Sequence, residues 1–195
     1  MHLAARALML TAGLVCASAM AQEETDSLVL YEFSQPTDHQ QWRRINDTVM
    51  GGVSSSSFQT PGNGIAVFAG YVSLENYGGF ASIRSQPRFR DLSDWTGLAL
   101  RVRGDGNRYI LGLKNDTSWN SVMYQASFET VAGQWTEVRL PFANCCAPTF
   151  RGREVAEAPA LDPTRIIQMS LMISDKQEGP FQLEIDWIAA YRQPQ

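Results

Sequence analysis

The segment that decides the fold is residues 181–191, which read FQLEIDWIAAY. Apolar side chains occupy every second position of this segment, and polar residues fill the first three positions between them. Because side chains alternate between the two faces of a β-strand, a period of two predicts a strand with one buried face. Trp187 falls on the apolar side of the pattern, so we expect it in the core.

The same signal recurs at short intervals along the chain, and no long stretch shows helical periodicity. Further strands are predicted at residues 28–33, 65–72, 80–85, 98–102, 108–114, 122–128, 136–140 and 167–173. Glycine-rich turns at residues 61–64 and 104–107 are each predicted to form hairpin loops. This many short strands predicts an all-β jelly-roll β-sandwich of two antiparallel sheets.

The bulk composition is that of a globular chain of about one domain. The 195 residues are 44% hydrophobic and 18% charged, which is enough apolar material for a core and too little charge for disorder. The net charge of −4 argues against nucleic acid as a partner, since that requires clustered Lys and Arg. We expect one domain over residues 28–192 and a short tail at 193–195.

The first 21 residues have the layout of a secretory signal peptide. They contain one basic residue, Arg6, then an apolar run at 8–15, then small residues at the −3 and −1 positions of a cut after Ala21. This predicts an exported protein, periplasmic or extracellular, with a short acidic segment at 22–27, soluble once the signal is cleaved. A mitochondrial transit peptide is the alternative, although that class is normally richer in Arg. A lipoprotein signal at Cys16 is the third reading.

Cysteine and histidine are scarce. Beyond the leader the cysteines are Cys145 and Cys146, adjacent in sequence; a vicinal disulfide, a bond to a partner and two thiols all remain open. His39 is the one histidine left, in a polar segment, which excludes a His-rich metal site and favours a structural role. No catalytic residue and no cofactor are predicted.

Two segments carry a more specific signature. Residues 42–54 read WRRINDTVMGGVS, and residues 68–84 read FAGYVSLENYGGFASIR. Together they resemble the complex I intermediate-associated protein 30 family, and shorter matches extend the resemblance over about residues 28–192. The resemblance implies a galactose-binding-like jelly roll and a non-catalytic chaperone role in assembling the respiratory NADH dehydrogenase. An exported chain would lie on the other side of the membrane from that work, so the role depends on the compartment.

The motif residues divide into those expected to shape the loops and those expected to bind. Glycine pairs supply backbone angles that other residues resist, and short polar side chains hold loops or contact a ligand. The first group is Trp42, Met50, Gly51, Gly52, Ser54, Gly78, Gly79 and Phe80. We expect Asn46, Asp47, Asn76 and the two glycine pairs to cluster at one loop end.

A second set of candidate binding residues lies in or beside predicted strands: Arg84, Trp119, Tyr124 and Gln125. On a concave sheet face, their rings and polar groups would suit a sugar or a protein interface. Glu32 and Asp186, on the first and last strands, are weak candidates for a structural calcium, and no other metal is predicted.

Three function classes follow from these residues. The leading hypothesis is an exported, non-catalytic binding or assembly module with a protein partner, and the alternative is a carbohydrate-binding module with a glycan partner. The third is a glycoside hydrolase with a carboxylate pair drawn from Asp47, Glu75, Glu129 and Glu184, which would have to lie about 5–10 Å apart. The sequence does not predict the oligomeric state.

Overall fold

The computed structural model describes residues 27–118, 121–145, 149–150, 153–155 and 157–193. The strands are β1 Ser27–Glu32, β2 Trp42–Arg44, β3 Ser55–Gln59, β4 Ala66–Val72, β5 Ala81–Ser85, β6 Gly97–Arg103, β7 Arg108–Lys114, β8 Tyr124–Glu129, β9 Trp135–Pro141, β10 Thr149–Phe150, β11 Arg153–Glu154, β12 Gln168–Ile173 and β13 Gly179–Tyr191. Short 3-10 helices cover Asp38–Gln41, Asp47–Met50, Glu75–Tyr77, Phe142–Asn144 and Pro163–Arg165.

The strands form two antiparallel sheets, which confirms the predicted all-β sandwich. The first sheet has the order β3-β4-β13-β6-β9, with β1 beside part of β13, and the second has the order β2-β5-β12-β7-β8. The short strands β10 and β11 pair with each other, and Thr149 in β10 also forms a β-bridge to Met123. The core lies between the sheets and includes Phe68, Leu100 and Leu183 from the first and Ile83, Leu111 and Leu171 from the second.

The longest strand, β13, organises the first sheet. One edge pairs with β4 and then β1, and the other edge pairs with β6. A β-bulge between Ile185 and Trp187 shifts the alternation, so Ile188 enters the core and Trp187 lies partly buried on the other side, near Val29. The prediction that Trp187 is a core residue is therefore wrong, because a bulge adds one residue to the period.

The two predicted hairpin loops have different outcomes. The loop at residues 61–64 joins the paired strands β3 and β4, as predicted. The loop at 104–107 joins β6 to β7, which belong to different sheets, so the hairpin prediction there is wrong. The Asp105 carboxylate holds this crossover, since it accepts from the Tyr109 hydroxyl at 3.1 Å and from the Gln182 backbone N–H at 2.7 Å.

Several sequence predictions fall outside the described residues: the leader at 1–21, most of the acidic segment 22–27, Trp119 and Cys146. Cys145 is buried. His39 is structural in its contacts, with Nδ1 lying 2.8 Å from the Pro36 carbonyl oxygen and 3.2 Å from Thr60 Oγ1. Within the described ranges, no helix has the length and apolar character needed to cross a membrane.

Candidate functional site

The Asp47 carboxylate is the centre of the loop end that the motif predicts. The side chain is inaccessible to solvent and accepts backbone N–H bonds from Ser54 at 3.0 Å, Gly79 at 2.7 Å and Phe80 at 3.3 Å. The Ser54 hydroxyl donates a further, short bond to it. Burial acts to raise the pKa of Asp47, but these bonds lower it by more, so its pKa lies below the usual value and the group is charged at neutral pH.

These bonds join the two motif segments and, through them, the two sheets. Ser54 leads into β3 of the first sheet, whereas Gly79 and Phe80 lead into β5 of the second. The backbone N–H of Ser73, just after β4, donates to the Ser54 hydroxyl at 2.9 Å. We call the residues Asp47, Ser54, Ser73 and Gly79 the Asp47 cluster.

Two motif glycines pack against the Asp47 side chain. A Cβ on Gly52 would lie 2.5 Å from Asp47 Cγ, and a Cβ on Gly78 would lie 2.6 Å from Asp47 Oδ2. Gly51 and Gly79 have φ values of 93° and 131°, which favour glycine. The glycine pairs therefore serve close approach and backbone geometry around the buried carboxylate.

The two candidate asparagines lie in the same pair of loops, outside direct contact with the carboxylate. Asn46 Oδ1 accepts from the Ser56 hydroxyl at 2.8 Å, which ties its loop to β3. Asn76 and Tyr77 both have left-handed backbone angles, φ 54° and 61°, which is rare for non-glycine residues. Such strain persists only where the surrounding structure enforces it, and here it presents Tyr77 fully to solvent.

Large apolar side chains on these loops are exposed. Tyr77 is 100% exposed, Val49 69% and Met50 60%, and Val53 and Leu74 are also exposed. We call these five residues the apolar loop surface. Met50, expected to shape its loop, faces solvent, and Val49 and Tyr77 are exposed residues that were not predicted as site candidates. Trp42 does pack internally, against Tyr31 and Phe58.

The second candidate set is divided between the two faces of the second sheet. Arg84 and Gln125 share the outer face, where the pairing register runs Arg43, Arg84, Ser170, Gly112, Gln125 across the five strands. Tyr124 is buried on the core side, and its hydroxyl donates to the Pro159 carbonyl at 2.9 Å. The expectation that Tyr124 lines the same face is wrong, because it alternates with Gln125 along β8.

The remaining candidate carboxylates on β13 are engaged with arginines. Asp186 forms an ion pair with Arg101 at 3.0 Å, and Glu184 forms one with Arg103. Among the described residues there is no group of three His, Cys, Asp or Glu side chains that could hold a metal. Glu32 lies opposite Trp187 on the neighbouring strand.

A family model described as "Complex I intermediate-associated protein 30 (CIA30)" matches residues 31–185, which include both motif loops and most strands of both sheets. The chain belongs to the complex I intermediate-associated protein 30 family. The resemblance seen in residues 42–54 and 68–84 is therefore confirmed.

Curated members of the family match along most of this chain. The mouse protein "Complex I intermediate-associated protein 30, mitochondrial" is 32% identical over 187 residues, covering 85% of this chain and 56% of the mouse protein. The Drosophila melanogaster protein of the same name is 25% identical over 193 residues, covering 88% and 64%. The chain thus spans less than two thirds of these relatives. Both relatives are named as mitochondrial proteins. This agrees with the transit-peptide alternative and gives the prediction of export no support.

Solved structures with the same fold include carbohydrate-binding modules. The family 11 module from Clostridium thermocellum, solved with a β-1,3-1,4-mixed-linked tetrasaccharide, has a TM-score of 0.62 and 14% identity, covering 85% of this chain and 95% of the module. The module of the cellulase Lic26A-Cel5E has a TM-score of 0.65 and 12% identity, covering 87% and 97%. At this identity the likeness shows the fold alone, and it confirms the galactose-binding-like jelly roll.

Proposed function

We propose that this protein is a non-catalytic binding module that associates with assembly intermediates of complex I through its apolar loop surface. The observation that carries the proposal is the fully exposed Tyr77, held outward by a strained loop, together with the exposed Val49 and Met50 on the second loop, which Asp47 joins to the first. Family membership supports the choice of partner.

The physical case rests on exposure combined with rigidity. A group of exposed large apolar side chains is typical of a protein interface, and Tyr and Met are enriched at interfaces. The Asp47 cluster fixes both loops, so little conformational freedom is lost on binding. A preorganised apolar surface of this kind suits a factor that holds incomplete subunits with their own apolar surfaces uncovered.

The test is rescue of complex I assembly in cells of the source organism from which the gene for this protein has been deleted. Assembled complex I is measured by native electrophoresis with in-gel NADH dehydrogenase staining. We expect the wild-type chain to restore assembly and the double variant Tyr77→Ala with Met50→Ser to fail. Phe89→Ala is the matched control, because Phe89 is 62% exposed and lies outside the motif loops.

Thermal denaturation of the purified variants shows whether they fold, and we expect no loss because both altered side chains are solvent-exposed. A double variant that restores assembly as well as the wild type would overturn the proposed surface. Full assembly in cells without the protein would overturn the proposed role.

An assembly role also constrains the compartment, since the protein must meet its partner. Terminal sequencing and fractionation of the native protein decide between the two readings of residues 1–21. A chain beginning at Gln22 in an exported fraction would favour a binding or chaperone module outside the cytoplasm. A chain processed on the matrix side would favour the complex I role.

A carbohydrate-binding module is the second candidate. It is supported by the shared jelly roll and by the polar outer face that holds Arg84 and Gln125. The described strands of that face offer no aromatic ring for stacking, since Tyr109, Tyr124 and Phe128 are buried in the core. Binding on a glycan array that is lost in Gln125→Ala would support this function, whereas an array without binding would remove it.

A further inference from the structure

Three cationic side chains lie close together on the outer face of the second sheet. Arg43 on β2 pairs with Arg84 on β5, and Arg84 pairs with Ser170 on β12. Lys114 on β7 pairs with Gln168, two residues before Ser170 and therefore on the same face. Since neighbouring strands are about 4.8 Å apart, Arg84 and Lys114 on the two sides of β12 are close enough for their charges to interact.

None of these three cations forms an ion pair with a described residue, whereas on the first sheet Arg101 and Arg103 pair with carboxylates on β13. The Nε atom of Arg84 is inaccessible and has no hydrogen-bond acceptor in the described part of the chain. An unpaired buried donor on a charged group is costly, so native structures rarely leave one without a reason.

The cations also oppose one another. Burial lowers the pKa of Arg84, and the charge of Arg43 lowers it further. Burial lowers the pKa of Lys114 as well, with a further lowering by Arg84 that exceeds the opposing effect of Asp116. A group of mutually repelling cations with lowered pKa values is a candidate for a functional site.

The surface beneath the cations is polar and well fixed. Ser170 and Gln168 are buried although they face outward, and Gln168 Nε2 donates to the Ser85 carbonyl at 2.8 Å. The Met123 thioether lies over Gly112, where a Cβ would be 2.6 Å from its sulfur atom. The three cations therefore share a sheet face whose polar groups are held in place by hydrogen bonds and packing within the chain.

We propose that Arg43, Arg84 and Lys114 form a binding site for the oxyanion group, a carboxylate or a phosphate, of a small polar ligand. The planar guanidinium matches two oxygens of either group, and the ammonium adds a point charge. The buried Nε–H of Arg84 then gains an acceptor that the described part of the chain does not supply. This site does not depend on the apolar loop surface or on the proposed complex I partner.

The test is calorimetric titration of the full chain with inorganic phosphate and, separately, with citrate, each against sodium chloride at matched ionic strength. We expect at least one anion to bind, and its Kd to rise at least tenfold in Arg84→Gln and in Lys114→Gln, since each removes a charge-assisted hydrogen bond. Lys176→Gln is the control, because it removes the same charge from an exposed position in the β12–β13 turn. We expect it to leave Kd unchanged.

Binding of phosphate alone would identify the ligand as a phosphate ester, and binding of citrate alone would identify it as a carboxylate. Either result supports the proposed site. Heats no larger than those of the sodium chloride titration would show that neither anion binds, and that result would overturn the proposed site. So would equal Kd values for the wild type, Arg84→Gln and Lys114→Gln. If circular dichroism shows that Arg84→Gln is unfolded, Lys114→Gln and the exposed Arg43→Gln decide the outcome. None of these results bears on the rescue assay, so the two proposals fail separately.

Discussion

Asp47 is a buried charge and Arg84 a half-buried one with an inaccessible Nε atom, and the two have opposite surroundings. The chain fills the hydrogen-bonding capacity of Asp47 with three backbone N–H groups and the Ser54 hydroxyl. Around Arg84 the chain supplies another cation and leaves Nε without an acceptor among the described residues. A charge satisfied by its own chain stabilises architecture, whereas an unsatisfied one carries a free-energy cost that a bound partner would offset.

The same contrast appears in the pKa values, which fall for both groups with opposite consequences. For Asp47 a lowered pKa means that the folded protein favours the charged form, through hydrogen bonds that outweigh burial. For Arg84 a lowered pKa means that the folded protein disfavours the charged form, through burial and the nearby Arg43. We therefore expect the two sites to respond differently to loss of charge.

The largest effect is expected for Asp47→Ala. This change leaves buried N–H groups of Ser54 and Gly79 without an acceptor and separates the two motif loops. We expect the free energy of unfolding to fall by roughly 3 kcal/mol or more, measured by urea denaturation. Glu75→Ala, an exposed carboxylate in the same loops, is the control and should change it by less than about 0.5 kcal/mol. A loss below about 1 kcal/mol in Asp47→Ala would break the comparison.

An intermediate, pH-dependent effect is expected for Asp47→Asn, which keeps the shape and removes the charge. Because the folded pKa of Asp47 lies below its unfolded value near 3.8, its charge stabilises the protein above that pH. This stability is lost as the pH falls through the folded pKa. The difference in unfolding free energy between wild type and Asp47→Asn should therefore be constant near neutral pH and shrink below about pH 4. A difference that grows in acid would contradict the assigned charge state.

The smallest effect is expected for Arg84→Gln in the absence of any added anion. This variant removes an unpaired cation and its repulsion with Arg43 and Lys114. We expect the midpoint of thermal unfolding at low salt to stay the same or rise slightly, and the gain to shrink as salt screens the repulsion. A clear loss of stability would show that Arg84 supports the fold, and the contrast with Asp47 would disappear.

Much of the fold follows from local pattern, and the failures have local causes. The alternation in β6, GLALRVR, and in β13 gives strands that the structure contains nearly as predicted. Strands β2 and β3 were missed because β2 has three residues and β3 reads SSSFQ, with a single buried position. The bulge that displaced Trp187 depends on how β13 pairs with β6, which no single-strand pattern encodes.

The two candidate sites differ in how far the sequence alone could predict them. Asp47 and the glycine pairs could be grouped from sequence because they occupy two continuous motif segments. Arg43 and Lys114 could not be grouped with Arg84, because the pairing of β2, β5, β12 and β7 joins residues far apart in the chain. One signal was available: Arg84 and Lys114 occupy outward positions on strands whose inward positions are apolar.

The position of β13 also has a consequence for synthesis. Among the strands of the described residues β13 comes last in sequence, yet β1, β4 and β6 all pair with it. The first sheet therefore cannot close while the ribosome is still making the preceding strands, and their unpaired edges remain open to aggregation. We expect this sheet to form only after β13 has been synthesised, which makes its closure a late step in folding.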